Sequence, residues 1–405
     1  MKVSARAFGC LCVATLGVYG FTGSAATPAQ SAGIGLFYTN YIVPREPWSI
    51  HVVGVSRADH DLEIHSTHAR GRALGLATLS EQIKSINPRL GTPVAGINGD
   101  FYVRESSYAG DPRGLQVVEG EVISAPVGGV SFWVEPGGLP HAGNVVSKFK
   151  VTWPNGATTA FGLNEGRDRG SMVLYTPSVG RSTHTSDGPE LELERLGEGL
   201  WLPLQLGTTY TARVREVRES GNSPVSSNSL VLSIGPALLR SLPTLEKGML
   251  LKLSTETAPD LQGAKTALSG GPLLVHAGRR QNWLKTSEFN SSSYSARSMT
   301  ERHPRTAMGW DDKNFYLLEV DGRQKISVGM TLEELADFMI KLGCKEAINL
   351  DGGGSAMIWC NGKIVNSPCD RHERVIANAL VVVNKRPAQG EGGVPHAQTG
   401  SRLPP

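Results

Sequence analysis

The segment Asn349-Leu350-Asp351-Gly352-Gly353-Gly354-Ser355 sets one carboxylate against three consecutive glycines. Glycine removes side chains where a ligand or another backbone must come close. Ala347-Ile348 leads in and Ala356-Met357-Ile358-Trp359 leads out, so Asp351 stands at the end of an apolar strand. A carboxylate beside an open glycine loop can act in catalysis or anion handling; as a plain tight turn it would only hydrogen-bond its own backbone. Three other segments share this grammar of an apolar run followed by polar and glycine residues: Asn98-Gly99-Asp100, Ser269-Gly270-Gly271 and Arg305-Thr306. If their strands share a sheet, the four ends meet at one cleft. Asp100 and Asp351 then form the carboxylate pair that glycosidic cleavage needs on either side of the scissile bond. Arg305 offers a planar bidentate fork for a phosphate.

Asn98-Gly99-Asp100-Phe101, Ser269-Gly270-Gly271-Pro272, Arg305-Thr306-Ala307-Met308-Gly309 and Asn349 to Ser355 together resemble the motifs of the phosphodiester glycosidase family. Val173 to Pro177, Asp321-Gly322-Arg323-Gln324 and Ser327 to Thr331 extend the resemblance, which runs in order from about Ile97 to Val383. It implies an α+β catalytic domain that hydrolyses a sugar-1-phosphodiester and releases the sugar.

The leaving group in such a reaction is a phosphate monoester, which departs more readily than a sugar alkoxide, so strong general-acid help is less needed. A cation must hold the phosphate, the part given to Arg305, with Arg323 in second place because Asp321-Gly322 also reads as a turn. Backbone N–H groups of Gly99, Gly270, Gly271, Gly352, Gly353 and Gly354 can take the remaining phosphate oxygens. Asn98, Ser269, Thr306 and Ser355 complete the substrate-binding set, with Asn98 and Ser355 orienting sugar hydroxyls or phosphate. A carboxylate must stabilise charge at the anomeric carbon or activate water, a role open to Asp351 and Asp100 alike. No His cluster accompanies the two aspartates, so the reading is metal-free and without cofactor; a Mg or Ca ion bridging carboxylate and phosphate is the alternative. His303 is an acid or an idle loop residue. Trp310 and Tyr102 are sugar platforms or core, and Glu319 and Asn378 lie on strands bordering the cleft.

The elements that must position these residues are mostly strands. Ser49–Val55, Asp61–His65 and Val94–Ile97 read as strands, and Thr78-Leu79-Ser80-Glu81 as a capping box opening a helix that stops before Pro88. From about 114 to 268 the chain reads as short β runs between Gly, Pro and Ser clusters. Phe315–Val320 is a strand. Thr331-Leu332-Glu333-Glu334 caps a helix whose face is Leu332, Leu335, Phe338, Met339 and Leu342, ended by Gly343. Asn361-Gly362 marks a hairpin, and Val375–Asn384 a central strand. The expected fold is α+β: a mixed β-sheet core with a few packing helices and a long β-rich middle region.

Lys2 and Arg6, the apolar run Phe8–Phe21 and the small residues Gly23-Ser24-Ala25-Ala26 read as a secretory signal over 1–26, too short for a comfortable membrane span. Residues 27–46 read as a lead-in, 47–385 as the glycosidase-like domain, and 386–405 as a disordered tail. The expected location is secreted, periplasmic or extracellular, with no membrane segment in the mature chain. Of 405 residues 40% are hydrophobic and 19% charged, at a net charge of +3, which gives no electrostatic reason to expect nucleic acid. The expected partner is a carbohydrate or sugar-phosphate substrate. Cys360 and Cys369 could pair across a hairpin end, leaving Cys344 buried. Two other functions fit the same residues: a non-catalytic binder of envelope or phosphorylated glycans, and a metal-dependent phosphodiesterase that cuts the P–O bond.

Overall fold

The computed structural model describes residues 29–30, 35–71, 73–282 and 296–386. The expected signal segment, and the expected tail beyond Arg386, lie outside them. The fold is α+β, and four sheets carry it among the described residues. One eight-stranded sheet runs Ala29–Gln30, Leu36–Val43, Trp48–Ser56, Asn314–Val320, Arg305–Trp310, Glu346–Asn349, Leu273–His276, Arg279–Arg280. A five-stranded sheet runs Lys363–Ile364, Ile358–Cys360, Thr92–Asn98, Asn378–Asn384, Leu62–His68.

Strand alternation dictates how these two sheets meet. Val53, Val55, Met308, Trp310, Leu317 and Ile348 of the first face Ala95, Ile97, Ile358, Leu380 and Val382 of the second in one buried core. The opposite face of the first sheet carries Val52, Ala307, Leu318, Val320 and Ala347, and is covered by helix Leu332–Lys341. Thr331 caps that helix in a full capping box with Glu334, and Gly343 follows its C-terminal cap with φ +96°. The outer face of the second sheet packs on helix Leu79–Lys84, capped in the same way by Thr78 and Glu81. Residues between Gln116 and Ser269 supply the other two sheets, one of six strands and one of eight, around a core of Leu, Val, Phe and Trp side chains. The six-stranded sheet reaches the central core through Val130, Phe132 and Leu268.

Two expectations change. The stretch read as a lead-in contains strand Leu36–Val43, paired along its length with Trp48–Ser56; its polar interruptions, Thr39 and Asn40, hide the period. Cys360 and Cys369 are not paired, and all three described cysteines are free thiols. Cys360 lies in the inter-sheet core, whereas the Cys369 thiol faces Asp370 at 3.6 Å.

Candidate active site

The four strand ends meet. Asp351 N–H donates to Gly99 O at 3.0 Å, Leu350 N–H to Thr306 O at 2.9 Å, and Gly271 N–H to Asn349 O at 2.7 Å. Ser269 lies against Gly114, where an added Cβ would meet its hydroxyl oxygen; the same Cβ would stand 3.4 Å from an Asp100 carboxylate oxygen. Asp100, Asp351, Ser269 and the Gly352–Gly354 loop therefore form one cluster at an end of the inter-sheet core.

The two carboxyls differ in proton affinity. Asp100 is buried, and burial pushes it up to about 8; the Phe101 N–H, donating at 2.7 Å, opposes this and the charge of Asp351 adds to it. Its Oδ2 has no hydrogen-bond partner. Asp351 is raised less, to about 6: burial lifts it, while Ser355, Arg374, the Gly352 N–H and Arg104 pull it back. The Ser355 hydroxyl lies in reach of Asp351 without a well-formed hydrogen bond of its own. At neutral pH the cluster holds one carboxylic acid, Asp100, and one carboxylate, Asp351. Asn378 fixes Asp100 from behind: its Oδ1 accepts the Asp100 N–H at 2.8 Å, and its Nδ2 reaches Gln116 Oε1 at 3.4 Å. Gln116 in turn meets His68 Nδ1 at 2.8 Å.

Arg305 does not serve as the phosphate fork that its motif suggests. On its strand Thr306, Met308 and Trp310 point into the inter-sheet core, so Arg305 points to the helix-covered face. There its Nε donates to Met330 O at 2.8 Å, and Nη2 to Ser298 O at 2.6 Å and Glu301 O at 2.9 Å. One buried and two part-buried carbonyls hold the guanidinium, which ties these backbone segments together. Thr306 and Asn98 also turn out to be internal. The fully buried Thr306 hydroxyl donates to Asn98 Oδ1 at 2.6 Å, Met357 N–H donates to the same oxygen at 3.0 Å, and Asn98 Nδ2 donates to Asp351 O at 2.6 Å. Both ends of the Asn98 amide are engaged within the protein, Nδ2 on the Asp351 carbonyl and Oδ1 on Thr306 and Met357, so neither is placed to orient a sugar. Ser269 shares a hydrogen bond with Ser131 at 2.7 Å. Trp310 packs in the core against Phe132 and Phe315, and the Tyr102 hydroxyl donates to Val375 O at 2.8 Å.

The cations near the glycine loop are others. Arg323, exposed and with φ +58°, brings Nη2 within 3.1 Å of where a Cβ on Gly353 would stand. Arg374 is held by Asp370 at 2.6 Å and leaves no room for a side chain at Gly354. Arg104 is exposed and acts on Asp351 through its charge. Of the glycine N–H groups, those of Gly99, Gly270, Gly271 and Gly353 donate to backbone carbonyls, and that of Gly352 faces the Asp351 carboxylate. The Gly354 N–H has no partner among the described residues. Gly352 is required by close approach, since a Cβ there would stand 2.6 Å from Pro304 O. Arg104 and Arg374 belong to no motif, and only the fold reveals their place.

Residues 212–383 match the family model described as phosphodiester glycosidase. Over this segment the chain is similar to the phosphodiester glycosidase family. The matched segment contains Ser269, Arg305, Arg323, Asp351 and Arg374; Asp100 lies outside it and joins through the Gly99–Asp351 hydrogen bond. The chain is 34% identical over 111 residues to the N-acetylglucosamine-1-phosphodiester alpha-N-acetylglucosaminidase of Bos taurus, a match covering 27% of this chain and 20% of that protein. In fold it is similar to a hypothetical protein from Synechocystis (TM-score 0.68, 19% identity, 86% of this chain and 62% of the other). A putative exported protein from Burkholderia pseudomallei K96243 is also similar (TM-score 0.65, 22% identity, 83% and 74%). No helix among the described residues is long and apolar enough to cross a membrane.

Proposed function

We propose that this protein is a secreted hydrolase that cleaves the glycosidic bond of a sugar-1-phosphodiester. The observation that carries the reading is the split proton affinity of Asp100 and Asp351 within one cluster bordered by arginines. The substrate phosphate bears a negative charge, which a neutral Asp100 does not repel. Arg323, with Arg374 and Arg104 beside it, attracts the phosphate, and the Gly354 N–H offers a donor for one of its oxygens. The Asp351 carboxylate stabilises the positive charge that develops at the anomeric carbon, or activates water against it. Asp100 carries the proton that the departing phosphate oxygen can take. Asn98 and Thr306 hold Asp351 in place. The N-terminal signal-like segment supports export.

The reaction is testable on the purified full chain with an N-acetylglucosamine-1-phosphodiester and related sugar-1-phosphodiesters. Sugar release is expected, with Asp351→Asn lowering it by about a thousandfold or more while the fold is kept. Saturable binding without product across the panel, equal in Asp351→Asn, would instead establish a glycan-binding protein.

A further inference from the structure

A second polar cluster lies on the inner face of the large sheet. In the strand register Thr306 stands opposite Glu319, and Glu319 opposite His51. Asp321 follows one residue beyond that strand. His51, Glu319 and Asp321 are all buried, and their nearest ligand atoms lie within 4.8 Å of one another. Two carboxylates in so dry a place need a counter-charge or a proton. Neither makes an ion pair with a lysine or arginine among the described residues, and Glu319 Oε2 has no hydrogen-bond partner.

We propose that His51, Glu319 and Asp321 bind a divalent cation, separate from the Asp100–Asp351 cluster, and that the cation fixes the turn presenting Arg323. The donor set, one imidazole and two carboxylates, suits Mn²⁺ or Zn²⁺. The imidazole can be oriented as a ligand: Tyr38 OH lies 2.7 Å from Nδ1, and in the tautomer with its proton on Nδ1 that hydroxyl accepts the hydrogen bond, leaving the Nε2 lone pair toward the carboxylates and the Ser49 hydroxyl at 3.2 Å. Nε2 and Asp321 Oδ2 are 3.1 Å apart. Donors about 2.1 Å from a shared metal stand about 3 Å from each other when adjacent. The unpartnered oxygen of Glu319 supplies the third position.

The site is wired to the loops around the glycine motif. Asp321 Oδ1 accepts the Ser367 N–H at 2.7 Å, and the Ser327 hydroxyl donates to Asp321 O at 2.5 Å. Two residues on, Arg323 reaches Gly353. A cation pinning the Asp321 carboxylate therefore pins the start of the Arg323 turn. Only this last link rests on the proposed function; cation binding itself is read without any turnover.

The test uses the full chain, stripped with EDTA and titrated with Mn²⁺ under electron paramagnetic resonance. One Mn²⁺ per chain is expected, with a pulsed-resonance coupling to a single imidazole nitrogen. Zn²⁺ should displace it and raise the melting temperature. Glu319→Gln, nearly isosteric, should weaken Mn²⁺ binding by about a hundredfold, and Tyr38→Phe by about tenfold through the imidazole alone. The nitrogen coupling in the unmodified chain decides the matter even if Glu319→Gln does not fold. Folded protein that takes up neither ion at millimolar concentration would overturn the proposal. Binding without nitrogen coupling, or binding unchanged in Glu319→Gln, would do the same. If sugar release fails while Mn²⁺ binds as described, the proposed reaction falls and the cation site stands.

Discussion

Replacing Asp100 by Asn should stabilise the protein in alkali while removing its catalytic acid. Asp100 is 4% exposed, with one carboxylate oxygen unpartnered, and burial raises it from the ordinary 3.8 to about 8. A carboxyl that binds protons more tightly in the folded state supports the fold in acid. That support is complete below about 4 and is lost progressively as pH rises through about 8. At 1.36 kcal/mol per pH unit, a displacement of about four units sets a ceiling on the order of 5 kcal/mol. Water entry and side-chain relaxation in the charged form reduce this to about 2–4 kcal/mol. Asn keeps an oxygen for the Phe101 N–H and never ionises, so its stability should not follow this slope. Asp351 is common to both proteins, and its own smaller slope largely cancels in the difference. Urea denaturation of both chains at pH 5, 7 and 9 makes the measurement. The expected result is a gap that widens with pH, with the Asn variant ahead by a few kcal/mol at pH 9. A gap constant across the three pH values would show that Asp100 carries no raised affinity, and the acid assigned to it would go with it.

The same pair predicts the rate profile: sugar release should fall below about 6 as Asp351 gains a proton and above about 8 as Asp100 loses one, giving a bell-shaped kcat/KM. Arg305→Ala should cost about 2–4 kcal/mol of stability, measured by urea titration, because three hydrogen bonds to one buried and two part-buried carbonyls go, yet the folded fraction should keep its KM. Arg323→Ala should do the reverse, leaving stability within about 0.5 kcal/mol and raising KM by about tenfold to a hundredfold, in steady-state kinetics. Gly352→Ala should lower stability by about 1–3 kcal/mol and depress turnover, because its Cβ would meet Pro304 O at 2.6 Å; thermal melts and rates on one preparation check this.

Sequence and fold agree wherever local rules govern. Both capping boxes, Thr78 with Glu81 and Thr331 with Glu334, form as their spacing requires. The Asn361-Gly362 hairpin takes positive φ at both residues, as a tight hairpin turn demands. The four glycine-flanked ends do converge, but from three sheets and not from the one shared sheet that their pattern suggested. What was hidden depends on which face a strand turns outward. Arg305 and Thr306 are neighbours in sequence, but alternation sends them to opposite faces, so a motif that contains both cannot say which one meets the cleft. Thr306 and Asn98 carry polar groups suited to a ligand, yet their partners are each other and the Asp351 carbonyl, contacts between residues more than 200 positions apart. Arg374 and Arg104 have no spacing signal. The ranking of Asp100 and Asp351 rests on unequal electrostatic surroundings: the Phe101 N–H and the charge of Arg113 pull Asp100 down, but burial and the charge of Asp351 outweigh them, whereas Ser355 and Arg374 hold Asp351 lower.

Hydrolysis in oxygen-18 water tests the central claim most directly. A sugar-1-phosphodiester is turned over once by the full chain, and both products are examined by mass spectrometry. Attack at the anomeric carbon beside Asp351 puts the label in the released sugar. Label in the phosphate would mean that the P–O bond breaks, and the two aspartates would then serve a different reaction.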